Sequence, residues 1–306
     1  MSLPQPVPPS WKDLGKSSND LLSKDFPIGK NSLEVKTTTP SNVVFKVAGH
    51  HIDDNPVIEA LAEAKYTDRK NGLVFTQGWT SINSLLTQVE LENQVVNGLK
   101  LDLTTVLPPS AQGAGPGEKP KHKDLAKSAI FNAIYKQPGL HSRASLNLFR
   151  GPTFTADAVV GHDGFLLGAE ASYNVSTGLL EKYAAAVGFS APEYAVTVQG
   201  TENFANYSAS YYHRVSRDVE AGGKVTYIGK KASEGVQLEV GTKAYLDSAA
   251  FIKAKINNAG LLSLGYTQAL RPGVKASFGL SLDTQRFNSA FNTTAHKVGT
   301  SFVFEG

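Results

Sequence analysis

The sequence of 306 residues has no cysteine, and its one methionine is Met1. The first absence excludes a disulfide framework, thiol catalysis and thiolate metal ligation. No run approaches the roughly 18 consecutive apolar residues that a membrane-crossing helix requires. Residues 1–9 are rich in proline and lack an apolar core of signal-peptide length. Blocks of one charge sign are missing as well. The 30 Lys and Arg stand against 27 Asp and Glu, and the resulting net charge of +3 is too diffuse to address nucleic acid. There is no His-Glu-x-x-His, no Gly-x-Ser-x-Gly and no paired-carboxylate motif. The 7 histidines are scattered. His50 and His51 are adjacent, so in a strand they face opposite ways and make a poor pair for one metal. The glycines of 113–117 are interrupted by Pro116 and lead into no Gly-Lys-Ser/Thr, unlike a phosphate-binding loop. No enzymatic activity, cofactor or metal is expected.

What the sequence has is alternation. Val274-Lys275-Ala276-Ser277-Phe278-Gly279-Leu280-Ser281-Leu282 places an apolar residue at every second position, with Lys, Ser or Gly between. Strand side chains alternate between faces, so one face is wholly apolar and the other polar. Roughly 9–11 such residues, tilted, cross a bilayer. The unit recurs from Leu33-Glu34-Val35 and Val43–Val47 onward. Strands are predicted at 73–79, 85–91, 98–106, 128–136, 140–148, 153–160, 165–173, 179–189 and 194–199, with the clearest alternation at 205–211, 219–227, 236–240, 250–256, 262–266 and 297–304. Asn71-Gly72 reads as a hairpin turn. The expectation is an all-β barrel of about 19 strands, an antiparallel meander closed between its first and last strands. The basic stretch 108–127 reads as a long flexible loop, because the alternation resumes unchanged beyond it. Residues 10–25 alone carry a helical period. Ser10 is the expected cap; Trp11, Leu14, Ser18, Leu21 and Leu22 share one face; Pro27 and Gly29 end it. The chain thus divides into an N-terminal segment, 1–30, and a barrel, 31–306.

Size decides which face meets water. At a strand spacing of ~4.8 Å and a tilt of ~40°, such a barrel is roughly 35–40 Å across. Ala, Val and Leu cannot fill that interior, whereas outward apolar residues suit lipid, and closure satisfies every backbone group. Tyr66, Trp79, Tyr173, Tyr194, Tyr227 and Tyr266 are candidates for interfacial girdles. A soluble β-rich binding protein, for instance of two sandwiches, remains the alternative on alternation alone. In a barrel the site is the lumen. Lys224, Lys253, Lys255, Lys275 and Lys297 share its polar face against Glu220 and Glu239, and a helix placed inside narrows the pore and adds Lys12, Lys16 and Lys24. Excess fixed positive charge in a wide wet pore favours anions mildly. The helix's apolar stripe then needs a partner on a mostly polar wall; inward apolar residues such as Val303 are expected to supply it, giving weak anchorage.

Several stretches together resemble a known family, the mitochondrial porins or voltage-dependent anion channels (VDACs), and look closest to fungal members. Asp13-Leu14-Gly15-Lys16-Ser17 is similar to the family's pore-lining helix. Gly98-Leu99-Lys100 matches its Gly-Leu-Lys triplet, which the resemblance links to nucleotides. Lys255-Ile256-Asn257-Asn258, Leu264-Gly265-Tyr266-Thr267-Gln268 and Leu270-Arg271-Pro272-Gly273-Val274-Lys275 match the signature region. Lys297, Gly299, Phe302 and Phe304 look like the C-terminal sorting signal. The resemblance implies a voltage-gated, weakly anion-selective diffusion channel of the mitochondrial outer membrane, carrying ATP, ADP, phosphate and chloride. Its implied partners are the lipid bilayer and anionic metabolites, with association with itself or other outer-membrane proteins left open. The outer-membrane protein-import channel, a related barrel, is the alternative. Two departures stand out. A membrane-facing Glu on the fourth strand of many animal members is expected to correspond to Gln88, and Asp25-Phe26-Pro27-Ile28-Gly29 replaces a glycine-rich hinge.

Overall fold

A computed structural model describes residues 6–53, 55–108, 127–149, 151–229, 235–285 and 296–306. The expected loop at 108–127 falls, but for its two end residues, outside the described residues. The strands are β1 (Lys30–Thr38), β2 (Val43–Ile52), β3 (Asn55–Asp68), β4 (Leu73–Thr80), β5 (Leu85–Glu92), β6 (Leu99–Leu107), β7 (Ser128–Gln137), β8 (Leu140–Asn147), β9 (Thr153–His162) and β10 (Phe165–Asn174). They continue as β11 (Leu179–Ser190), β12 (Tyr194–Thr201), β13 (Asn206–Arg214), β14 (Val219–Ile228), β15 (Val236–Tyr245), β16 (Ala250–Asn257), β17 (Leu261–Arg271), β18 (Val274–Asp283) and β19 (Lys297–Glu305). Each pairs with its chain neighbours in one 19-stranded sheet, and β1 closes on β19.

The closure is parallel, with Ser32 opposite Ser301 and Lys36 opposite Glu305. An odd number of strands demands this: antiparallel neighbours alternate direction, so with 19 strands the first and last run the same way. Turn chemistry sets the hairpins. Asp163 and Gly164 both take positive φ, the type I′ geometry that matches strand twist, and join β9 to β10 in register. The Asn71-Gly72 turn is longer; the Asp68 carboxylate accepts from the backbone N–H of Lys70 and Asn71, and Gly72 holds φ 57°.

The register divides the faces as the alternation predicts. Leu33, Phe45, Val47, Phe75, Leu167, Val187 and Phe278 stand exposed on the outer face. Ser32, Lys46, Gln199, Lys224 and Ser301 line the interior, and His50 and His51 point to opposite faces. This arrangement belongs to lipid outside and water inside, not to a soluble sandwich, whose core would bury the apolar face. Of the girdle candidates, Tyr66, Trp79, Tyr173, Tyr194 and Tyr227 are exposed near strand ends. Tyr266 is a correction: it sits mid-strand in β17 and bonds Gln268.

One strand escaped the sequence reading. β3 contains Glu59-Ala60-Leu61-Ala62-Glu63-Ala64-Lys65, all strong helix formers. Its antiparallel pairing with β2 and β4 overrides that preference.

The lumen as candidate functional site

The N-terminal segment lies against the inner wall. A 3-10 turn at Trp11–Asp13 is followed by α1 (Lys16–Ser23). The expected continuous helix is therefore broken. Leu14 is extended and Gly15 takes φ 71°, a left-handed conformation that ends one turn and starts the next helix. Ser10 does not cap a backbone N–H; its hydroxyl donates to Asp13 Oδ2 at 2.6 Å. Lys16 donates to the same carboxylate at 2.9 Å. The Ser10 hydroxyl first, then Lys16, hold the Asp13 carboxyl below the usual aspartate range.

Despite the break, the apolar face is the predicted one: Trp11, Leu14, Ser18, Leu21 and Leu22 are all buried. The stripe's partners differ from expectation. Trp11 and Leu14 pack with Val159, Ala184, Ala186 and Leu166. Leu21 and Leu22 lie against Gly222 and Gly241, where the wall has no side chain. Val303 faces inward but borders a cleft beside the Phe26–Pro27 joint rather than the stripe. The reason is steric: glycines let the segment approach the backbone itself. A methyl group on Gly168 would sit 2.9 Å from the Trp11 ring and 3.0 Å from Leu14. One on Gly279 would meet Pro27 at 3.0 Å, and Gly299 faces Pro27 and Lys30 still more closely. The anchorage is close-packed, not weak.

The wall lysines are engaged with this segment. Lys253 is 3 % exposed. Its ammonium donates to the carbonyls of Asp20 and Lys24, each at 2.9 Å, and stands 3.6 Å from Asp25. These carbonyls lie at the C-terminal end of α1, which favours a cation: the Lys24 carbonyl has no intrahelical donor, and that of Asp20 also accepts from the Lys24 N–H at 3.1 Å. Lys253 is thus a helix cap supplied by the wall. Lys275 reaches Asp25 at 3.3 Å, and Lys224 donates to Asn19 Oδ1 at 3.0 Å. Lys255 pairs with Glu239 at 2.8 Å and lies 5.0 Å from the Phe26 ring centroid. Lys16 and Lys24 are exposed on the lumenal side of α1, in short-range pairs with Asp13 and Asp20. Lys12 is exposed and has no carboxylate partner among the described residues. Lys297 opens β19 beside Gly29.

Several lumenal groups were not singled out from the sequence. Arg143 donates to buried Asp157 at 2.7 Å and lies 3.7 Å from Glu170. Lys243 faces the lumen at one rim, over Tyr245 and Phe251. Strand parity would have flagged each, but not Asp157, Glu170 or Phe251, which lie on other strands.

Of the remaining candidates, Gly98 holds φ 85° in the turn before β6, Leu99 opens that strand, and Lys100 pairs with Glu90 at 2.9 Å. On β19, Lys297 and Gly299 lie on the inner face and Phe302 on the outer, where it meets Phe278 edge-on. Phe304 shares the outer face with Phe302. Gln88 is a correction. It lies on β5, not the fourth strand, and faces inward, donating to Glu90 and Asp102. The outward polar residue on β4 is Gln77, between exposed Phe75 and Trp79, and it accepts from Thr87 at 3.2 Å.

A lipid-facing closed barrel with a charged lumen and a docked N-terminal segment matches the comparisons with known proteins. The profile of the eukaryotic porin family covers residues 7–299. A "mitochondrial outer membrane protein porin" of Neurospora crassa is 43% identical over 97% of this chain and 99% of its own. The porin of the same name from Candida albicans is 39% identical over 97% and 99%. The "non-selective voltage-gated ion channel 1" of Saccharomyces cerevisiae is 32% identical over 97% and 99%. The matched relatives are porins and ion channels over nearly their whole length, which removes the soluble alternative and gives no support to the import channel. The chain therefore belongs to the eukaryotic porin family: it is a β-barrel channel of the mitochondrial outer membrane, of the voltage-gated type, and not an enzyme.

Proposed function

We propose that the channel passes small anions and phosphorylated metabolites, ATP and ADP among them, in mild preference to cations, and that the N-terminal segment narrows the pore and takes part in voltage gating. The observation that carries the selectivity is that lumenal Lys12, Lys224 and Lys243 stand in no ion pair among the described residues, whereas most other lumenal lysines are neutralised by a neighbouring carboxylate. Lys12 and Lys224 border one space of about 450 Å³ between segment and wall, where Glu170 is the only acid. Screening acts over ~8 Å at physiological ionic strength, so in a wide pore the preference is small and falls with salt. The word "non-selective" in the name of the Saccharomyces cerevisiae relative is compatible with a preference of that size. Lys100 of the Gly98-Leu99-Lys100 triplet is already paired with Glu90, so a nucleotide contact there would have to displace that carboxylate.

The test is the reversal potential of single channels in a planar bilayer under a salt gradient. Lys12→Glu combined with Lys224→Glu should move it toward cation preference, less so at high salt; no movement overturns the selectivity reading. For gating, deletion of residues 1–25 should leave an inserted barrel with noisier conductance and shallower voltage dependence. Unchanged steepness would leave the sensor in the wall.

A further inference from the structure

At the rim that carries the C-terminus, the lumenal wall holds a cleft of about 670 Å³. No residue of α1 lines it, and of the wall lysines that bond the segment it includes only Lys275. Its lining is unlike the rest of the lumen. Tyr245 and Phe251 form its aromatic side, ring centroids 5.9 Å apart and edge to face, with Ala269 and Val303 completing an apolar surface. Lys243 lies over both rings, 4.2 Å from the Tyr245 centroid and 4.3 Å from that of Phe251, and donates to the Tyr245 hydroxyl at 2.6 Å. Lys275 stands 5.7 Å from the Phe251 centroid, and Arg271 is exposed at the edge.

The charges do not cancel within the cleft. Its two acids are engaged elsewhere: Asp247 accepts from the backbone N–H of Ala249 and Ala250 at 2.6 and 2.7 Å, and Glu305 pairs with Lys36 on the neighbouring strand. Among the described residues neither Lys243 nor Arg271 has a carboxylate partner. A concave, largely apolar surface with a few convergent charged groups is the usual form of a small-molecule site. Aromatic rings bind another ring face or edge, and two unpaired cations require negative charge on the same molecule.

We propose that this cleft is a binding site for small planar aromatic anions entering from the C-terminal mouth. The ring system packs against Phe251 and Tyr245, the anionic group is taken by Lys243, and Arg271, nearer the mouth on β17, attracts it from the rim. The proposal goes beyond the channel's ion preference, since it needs the aromatic pair as well as the charge.

Titration calorimetry on the full chain in uncharged detergent, with 1-naphthalenesulfonate as probe and empty micelles as blank, tests it. A saturable one-to-one component is expected. Its Kd should rise about tenfold in Lys243→Gln and in Phe251→Leu, as loss of a charge-assisted contact or a ring contact predicts. Arg271→Gln, at the exposed edge where the fold is not at stake, should weaken binding several-fold. Cyclohexanesulfonate should bind at least tenfold more weakly than the aromatic probe. No component above the micelle blank, equal Kd values in wild type and Arg271→Gln, or equal affinity for both sulfonates would overturn the proposal.

Discussion

Gly168 acts through what it lacks. Any side chain there enters the space of Trp11 and Leu14, so Gly168→Val should dislodge the first turn of the segment without disturbing the sheet, since Val suits a strand. The chain has 2 tryptophans, and Trp79 is exposed on the outer face. In a Trp79→Phe background, emission should therefore report Trp11 alone and shift to the red in the Gly168 variant, with the barrel still inserted; an unshifted spectrum would mean that the wall yields instead. Asp13 gives a pH counterpart. Its carboxyl is held below its ordinary value in the docked state, so the stabilisation is present above the unfolded value of about 3.9 and is lost as pH falls through the docked value. The same emission should be constant from neutral pH to about pH 5 and move red only in stronger acid; Asp13→Asn should remove that acid step. At this scale the sequence showed one side of each contact. Trp11, Leu14, Leu21 and Leu22 announced a stripe by their spacing, but Gly168 and Gly222 are far away in the chain, and nothing local says that they form its seat.

The element whose environment departs most from the sequence reading is α1. Period and composition marked its apolar face, yet not the break at Leu14-Gly15, because Gly in a short helical pattern signals either a weak residue or a terminus. Nor could they show that Lys253 serves the helix rather than the permeating ion. Lys253→Met keeps length and removes the donor, leaving the carbonyl of Lys24 unmatched and that of Asp20 with only the Lys24 N–H; hydrogen bonds to a charged group are each worth about 1.5–3 kcal/mol. The end of α1 should fray, seen as faster proteolysis within residues 16–25. By contrast Lys275→Gln removes an exposed pair with Asp25, worth at most about 1 kcal/mol, and should leave proteolysis near wild type. Comparable protection in both variants would mean that Lys253 is dispensable as a cap. β3 shows the reverse failure, a strand hidden by helix-forming residues. In lipid a segment must satisfy its backbone through neighbours on both edges, and that demand outweighs a propensity of a few tenths of a kcal/mol per residue.

For the whole molecule, two-residue alternation was enough to read a sheet of about this many strands with one apolar and one polar face, but it left a soluble sandwich open; the width of a closed sheet argued for lipid outside, and the relatives removed the alternative. The partition can be mapped in this cysteine-free chain. Cys introduced at Lys275 should react with a water-soluble thiol reagent, and Cys at Phe278 should be shielded by lipid. Cys at Ser277 or Ser281 should react slowly although it faces the lumen, since both positions are buried and Ser277 accepts from Thr267. Fast labelling at Phe278 would invert the barrel. The seam carries a consequence of a different kind, in time rather than in space. Ser32 and Ser301 bond across 269 positions of chain, so synthesis order makes β19 the final piece and the ring stays open until it arrives. Until then β1 and β18 present unpaired edges, which hydrocarbon does not tolerate. The glycines of β18 and β19 also complete the seat of Pro27. Closure therefore waits for the last strand, and a chain cut short before it would leave Pro27 without its full seat as well as the wall unclosed.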